Sequence, residues 1–173
     1  MANLVIMTAD ELKALSPLER QAARRAARQQ PLVRLILRTF LQRGGPIAVE
    51  DIIGGSSDAR AEALHDALAA LDDDDVIRVR AGQIDIAYPF SAAPTPFRVR
   101  LSGGRDRYAC CAMDALGIAP MVGEAIEIRS QCHHCGAPLE FSATPDGAGP
   151  DAEGVMVWFG KRGDERCKVA DSL

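Results

Sequence analysis

The feature that most constrains this fold is a change of hydrophobic period near residue 75. Before it, apolar residues recur at helical spacing. After it, they alternate with period two. Pro31 opens the segment PLVRLILRTFLQR, in which Leu32, Leu35, Ile36, Phe40 and Leu41 share one face, and Gly44 and Gly45 end it. Pro46 starts a short helix, IAVEDIIGG. Ser56 and Ser57 precede a third, DARAEALHDALAALDDDD, with a stripe of Ala61, Leu64, Leu68 and Leu71. VIRVRAG and QIDIAYPF then alternate about Ala81 and Gly82, as in a hairpin. Helix, short helix, helix and hairpin in this order predict a winged helix-turn-helix-like arrangement. Upstream, residues 10–29 predict one or two short helices, with Ser16 as cap and Pro17 in the first turn. Arg20, Arg24, Arg25 and Arg28 there read as a solvated face rather than a DNA-contacting arm.

The second half carries strand patterns around one helical segment. SAAPTP, residues 91–96, predicts a linker. FRVRL predicts a strand, SGGRDR a turn, and YACCAMDALGI a short helix that Pro120 ends, with Ala109, Ala112, Met113 and Leu116 apolar. EAIEIRSQC and LEFSAT predict a hairpin around CGAP. PDGAGPDAEG reads as a loop and GVMVWFGKR as a final apolar strand. The predicted class is α+β. A helical, winged-helix-like domain over 1–90 is joined by 91–96 to a small antiparallel sheet domain over 97–173, whose short helix carries the site. Aromatics are only 5% of residues, so Leu, Val, Ile and Ala must fill the core.

Charge narrows the partners. The net charge of -4 does not point to nucleic acid. The segment that would serve as recognition helix has Arg60 but also Asp58, Glu62 and Asp66, and four aspartates follow at 72–75. Such a face repels phosphate, so DNA is not the expected partner. His65 has no nearby ligand-type partner in sequence and reads as a surface or packing residue. No apolar run approaches the roughly 20 residues of a membrane span. The start MANLVIMTADELKAL lacks the basic opening of a signal peptide, so a cytoplasmic protein is expected.

Five cysteines, Cys110, Cys111, Cys132, Cys135 and Cys167, all fall in the last 64 residues. An odd number argues against a disulfide framework, and the clustering argues for thiolate or soft-metal chemistry. On a helix, Cys111 and Asp114 stand at i and i+3 and face the same side, with Cys110 turned roughly 100° away. A thiol beside a carboxylate can bind a soft metal as thiolate while the carboxylate handles the proton, and the start of a helix favours the thiolate. Cys132-His133-His134-Cys135-Gly136 has the shape of a zinc knuckle. A structural zinc would need two further ligands, from Cys110 and Cys111, from Cys167, or from the two histidines. A redox role for this pair is disfavoured by its place in a strand turn. Arg166 and Lys168 flank Cys167 and would lower its pKa. Trp158, Phe159 and Tyr108 read first as packing residues and second as walls of an organic-group pocket.

Residues 108–114, Tyr-Ala-Cys-Cys-Ala-Met-Asp, continuing through Ala115 and Leu116 to Pro120 and Gly123, resemble a segment of the organomercurial (alkylmercury) lyases. In that family it holds the first catalytic cysteine and the catalytic aspartate. Cys111 falls on the cysteine and Asp114 on the aspartate, while Cys110 replaces an aromatic. Ser130-Gln131-Cys132 and Gly136-Ala137-Pro138 resemble the next strand and turn, where Cys132 falls on a cysteine with a structural part. The local resemblance covers residues 98–144. It implies protonolysis of a carbon–mercury bond in a small organometallic substrate. One thiolate attacks mercury, a second cysteine joins it, and the aspartate delivers a proton to carbon. Hydrocarbon leaves, Hg(II) stays on sulfur, and no cofactor is required. The resemblance further implies cellular thiols, or a thiol carrier, as acceptors of Hg(II). The family's second catalytic cysteine lies downstream, where Cys167 is the candidate although its surroundings differ; Cys110 or Cys132 could substitute. Two other readings use the same cysteines: a non-catalytic metal-binding or metal-sensing winged-helix protein, and a structural zinc interaction module.

Overall fold

Pro31 fixes the first turn of helix α1 (Pro31–Arg43), which presents Val33, Ile36, Leu37 and Phe40 as one buried stripe. The structure, a computed structural model, describes residues 30–157 together with Ala26 and Ala27. The helices expected over 10–29 therefore lie, apart from those two alanines, outside the described residues, as do Trp158, Phe159 and Cys167. Gly44, at a φ of 79°, ends α1 and returns its amide to the carbonyl of Phe40. A Cβ on Gly45 would overlap the Phe40 ring and Ala92, so that position has room only for glycine.

Pro46 does not open a helix directly. Ile47 and Ala48 first form a two-residue strand, β1, which pairs with the later hairpin, and helix α2 (Val49–Ile53) follows. Helix α3 (Asp58–Asp73) begins after Ser57 and buries Leu68 and Leu71; Ala61 and Leu64 are only partly covered. Strands β2 (Ile77–Arg80) and β3 (Gln83–Ala87) form the expected hairpin. Its turn residues, Ala81 and Gly82, both have positive φ, 48° and 72°. Arg78 clasps Asp85 across the hairpin through two hydrogen bonds of 2.8 and 2.9 Å.

Residues 91–96, read above as a linker, begin with Ser91 inside strand β4 (Phe90–Ser91). This short strand pairs with β3 on one side and with β6 (Asp106–Ala109) on the other. The sheet thus continues from the first half into the second, in the order β1-β3-β4-β6-β5-β7-β8-β9, with β2 on β3. Strands β5 (Arg98–Arg100), β7 (Ile126–Gln131), β8 (Pro138–Thr144) and β9 (Gly147–Ala148) complete it, and all pairings are antiparallel. The loop expected over PDGAGPDAEG holds β9 and a 3-10 turn (Pro150–Ala152). The final strand does not form over residues 155–157, where Met156 is 68% exposed.

One cluster of buried side chains runs from Ile36 and Phe40 through Ile84 and Phe90 to Ile118, Ile128 and Phe141. Phe40 and Phe90 stack with ring centroids 6.2 Å apart, and burial of each ring contributes about 2–3 kcal/mol. Arg107 adds a polar tie. Its guanidinium donates to the carbonyls of Phe40 and Leu41, both at 2.6 Å, supplying a donor to Leu41 at the end of α1 and a second one to Phe40, which already accepts from Gly44. The architecture is α+β with an antiparallel sheet.

Candidate active site

Strand β6 ends at Ala109, the chain bends at Cys110 and Cys111, and Cys111 itself has extended dihedrals (φ −151°, ψ 178°) before helix α4 (Ala112–Val122) begins. Cys111 is therefore the N-cap of α4, not a residue inside a helix, and Tyr108 and Ala109 belong to the sheet. Helix α4 also runs past Pro120 to Val122 and ends at Gly123, whose φ of 75° is left-handed. The proline removes one helical hydrogen bond. Burial of Ala115, Ile118 and Ala119 on the sheet holds the helix together across it.

The cap brings the two candidate residues together. The amide of Asp114 donates to the Cys111 sulfur at 3.4 Å, so sulfur takes the place that a serine or aspartate oxygen usually fills. Asp114, at the third helical position, reaches back, and the thiol donates to its Oδ2 at 3.0 Å. This reciprocal pair has the logic of a capping box. The Cys-x-x-Asp spacing thus yields a direct thiol–carboxylate contact, by a route other than the expected helical face.

The electrostatics reverse one expectation. The start of α4 was to favour a thiolate, yet the Cys111 thiol is pushed up to about 12. Burial is the first cause, followed by the Asp114 charge and the hydrogen bond to its carboxylate. The amides of Asp114 and Met113 pull the other way and do not prevail. At neutral pH the sulfur keeps its proton, aimed at the carboxylate. Met113, one of the apolar residues of this segment, is 41% exposed between the two.

Cys110 stands apart. It is 4% exposed and packs with Ile86 and Tyr88 in a small cluster separate from the main core, while its amide donates to the Pro89 carbonyl. Cys132 and Cys135 lie in the β7–β8 connection, Cys132 partly covered and Cys135 exposed, with His133 and His134 exposed between them. The amides of Cys135 and His134, then the Cys135 side chain, hold the Cys132 thiol below its ordinary value. Among the described residues no three His, Cys, Asp or Glu side chains gather to hold a metal. The four-ligand zinc set imagined from Cys132, Cys135 and the Cys110–Cys111 pair is therefore not formed, because Cys110 is turned into its own apolar cluster. Asp106 was not singled out in the sequence. The Arg100 and Arg98 guanidiniums beside it hold its carboxyl at about 2, and the three residues clamp β5 to β6 just before the site. The signal was the charge alternation of residues 98, 100 and 106 across a turn.

Comparison with known proteins points the same way. A family model described as alkylmercury lyase matches residues 90–173. An alkylmercury lyase from Staphylococcus epidermidis is 29% identical over 109 residues, which is 62% of this chain and 47% of that protein. Alkylmercury lyases from Bacillus cereus and Clostridium butyricum are each 36% identical over 53 residues, 31% of this chain and 24% of theirs. The chain thus spans less than half the length of the curated relatives it matches. A crystal structure of the mercury-bound form of MerB2 shares the fold with a TM-score of 0.57 at 22% identity, over 76% of this chain and 64% of that one.

Proposed function

Residues 90–173 place this chain in the alkylmercury lyase family, and on that premise we propose that it cleaves carbon–mercury bonds by thiol-assisted protonolysis. The observation that carries the reading is the Cys111 thiol hydrogen-bonded to Asp114 at 3.0 Å. Mercury is a soft ion that prefers sulfur. As the Cys111 sulfur bonds to mercury, its proton passes along the existing hydrogen bond to the Asp114 carboxylate. A second thiolate adds to the metal, and Cys167 is the cysteine we assign to it. Asp114 then returns the proton to the carbon, the carbon–mercury bond breaks, and hydrocarbon leaves with Hg(II) held by two sulfurs. The high pKa of the free thiol suits this sequence, because it keeps the needed proton in the site until mercury displaces it.

The helical half is read as scaffold. Its order of helix, short helix, helix and hairpin supports a winged-helix-like reading of residues 31–90. Asp58, Glu62 and Asp66 are exposed on α3 and outweigh the exposed Arg60, which favours packing over DNA contact. Among the described residues no helix is long and apolar enough to cross a membrane. Small thiols, or a thiol carrier of the cytoplasm, would accept the mercury.

The test is hydrocarbon release from an arylmercurial by the full chain with excess thiol. Turnover that Cys111→Ser abolishes is expected. A folded chain that releases no hydrocarbon, or a Cys111→Ser variant that still does, overturns the reading.

A further inference from the structure

The β7–β8 connection is a second concentration of sulfur, which the chemistry proposed at Cys111 leaves unused. Two backbone hydrogen bonds of 2.8 Å close it: Cys132 N–H to the Ala137 carbonyl, and Gly136 N–H to the Cys132 carbonyl. Gly136, at a φ of 70°, lets the chain turn back so sharply. The result brings the Cys135 thiol to the Cys132 sulfur, with the amides of Cys135 and His134 aimed at the same atom. Neither cysteine is in the core, and Cys135 is exposed. No third acidic, histidine or cysteine ligand joins them among the described residues. Tetrahedral zinc wants four ligands. Two adjacent sulfurs open to solvent suit a soft cation content with two thiolates.

The sheet puts this pair near Cys111. Arg98 of β5 pairs with Tyr108 of β6 on one side and with Arg129 of β7 on the other. Strands β6 and β7 therefore run in the same direction, one strand apart. Cys111 comes three residues after Tyr108, and Cys132 three residues after Arg129. Both leave the same end of the sheet, and two inter-strand spacings separate their chains by about 10 Å.

We propose that Cys132 and Cys135 form a second Hg(II) site, a surface dithiolate that takes mercury from Cys111 and presents it to thiols in solution. The source of the mercury rests on the lyase reading. The transfer is thiol exchange with no change of oxidation state. The Cys132 sulfur bonds to mercury, the bond to Cys111 breaks, and the proton of the attacking thiol goes to the Cys111 sulfur. Cys135 displaces the remaining thiolate in the same way, giving it the second proton.

The experiment gives the reduced full chain one equivalent of HgCl2, alkylates it with N-ethylmaleimide, and reads each cysteine by peptide mass spectrometry. Cys132 and Cys135 should alkylate at least ten times more slowly with mercury, in the wild type and in Cys111→Ser alike. In Cys132→Ser/Cys135→Ser the protection should move to Cys111. Alkylation of Cys132 and Cys135 at the metal-free rate, while other cysteines are protected, overturns the site. So does protection that appears as a loss of two hydrogens without mercury, which is a disulfide. A parallel sample given an arylmercurial separates the two readings. Protection by HgCl2 without hydrocarbon release keeps the site and removes the lyase. Hydrocarbon release with mercury absent from Cys132 and Cys135 keeps the lyase and removes the site.

Discussion

Replacing Asp114 with asparagine should move two properties of Cys111 in opposite directions. The thiol stands at about 12 against an ordinary 9.0, with burial as first cause and Asp114 as the next two. Asparagine keeps the side-chain shape and removes the charge 3.0 Å from sulfur. A neighbouring like charge shifts a pKa by about one unit or more, so at a fixed pH the variant should hold roughly ten times more thiolate, or about 1.4 kcal/mol. Burial remains, so Cys111 should still react more slowly than the exposed Cys135 in the same chain. The assay is the rate of Cys111 alkylation by iodoacetamide between pH 8 and 10, resolved by peptide mass spectrometry. The expected outcome is about a tenfold faster reaction at each pH below the thiol's own pKa. Hydrocarbon release by the same variant should fall about a hundredfold or more, the usual loss when a positioned acid is removed. An alkylation rate that is unchanged or slower would refute the electrostatic account. A faster thiol with undiminished hydrocarbon release would refute the assignment of Asp114 as proton carrier.

Three further outcomes follow from the fold. Arg107→Met keeps the aliphatic stem but strands the carbonyl of Leu41 and takes one of two donors from that of Phe40, and should cost about 1–3 kcal/mol in urea unfolding; a loss below about 0.5 kcal/mol would mean that water replaces the guanidinium without penalty. Ala81→Asn suits the left-handed turn position and should stabilise the chain by about 1 kcal/mol, read as a higher Tm; a lower Tm would count against the turn geometry. Asp106 is held at about 2 by Arg100 and Arg98. Its contribution should be fully present above the ordinary carboxylate range and fade as pH falls from about 4 towards 2; Asp106→Asn should flatten that part of the stability profile, and an equally steep profile would contradict the clamp.

Much of this was legible in the residues. The period-two runs at 77–80, 83–87, 126–131 and 138–144 became strands, because alternation forces one face inward wherever a sheet is half buried. The Cys111–Asp114 contact was legible as a spacing but not as a cap. Both geometries put residue i against i+3, and only the preceding strand decides between them. Phe90 was read as the end of the run 83–90 and Ser91 as linker; the break after Ala87 was hidden because a two-residue strand has no period of its own, and it exists through its neighbours β3 and β6. The raised Cys111 thiol was equally invisible, since burial depends on residues brought together by the tertiary fold, whereas the helix-start effect could be read locally. Arg107 capping α1 across 66 and 67 residues of sequence is the same lesson in another bond.

The central claim is that a proton held between Cys111 and Asp114 ends up on the leaving carbon. The most direct measurement is a single turnover of phenylmercury by the full chain in D2O, with the released benzene analysed by mass spectrometry. The account predicts benzene carrying one deuterium, with release lost in Cys111→Ser and strongly slowed in Asp114→Asn. Undeuterated benzene, biphenyl, or release that survives both substitutions would contradict it.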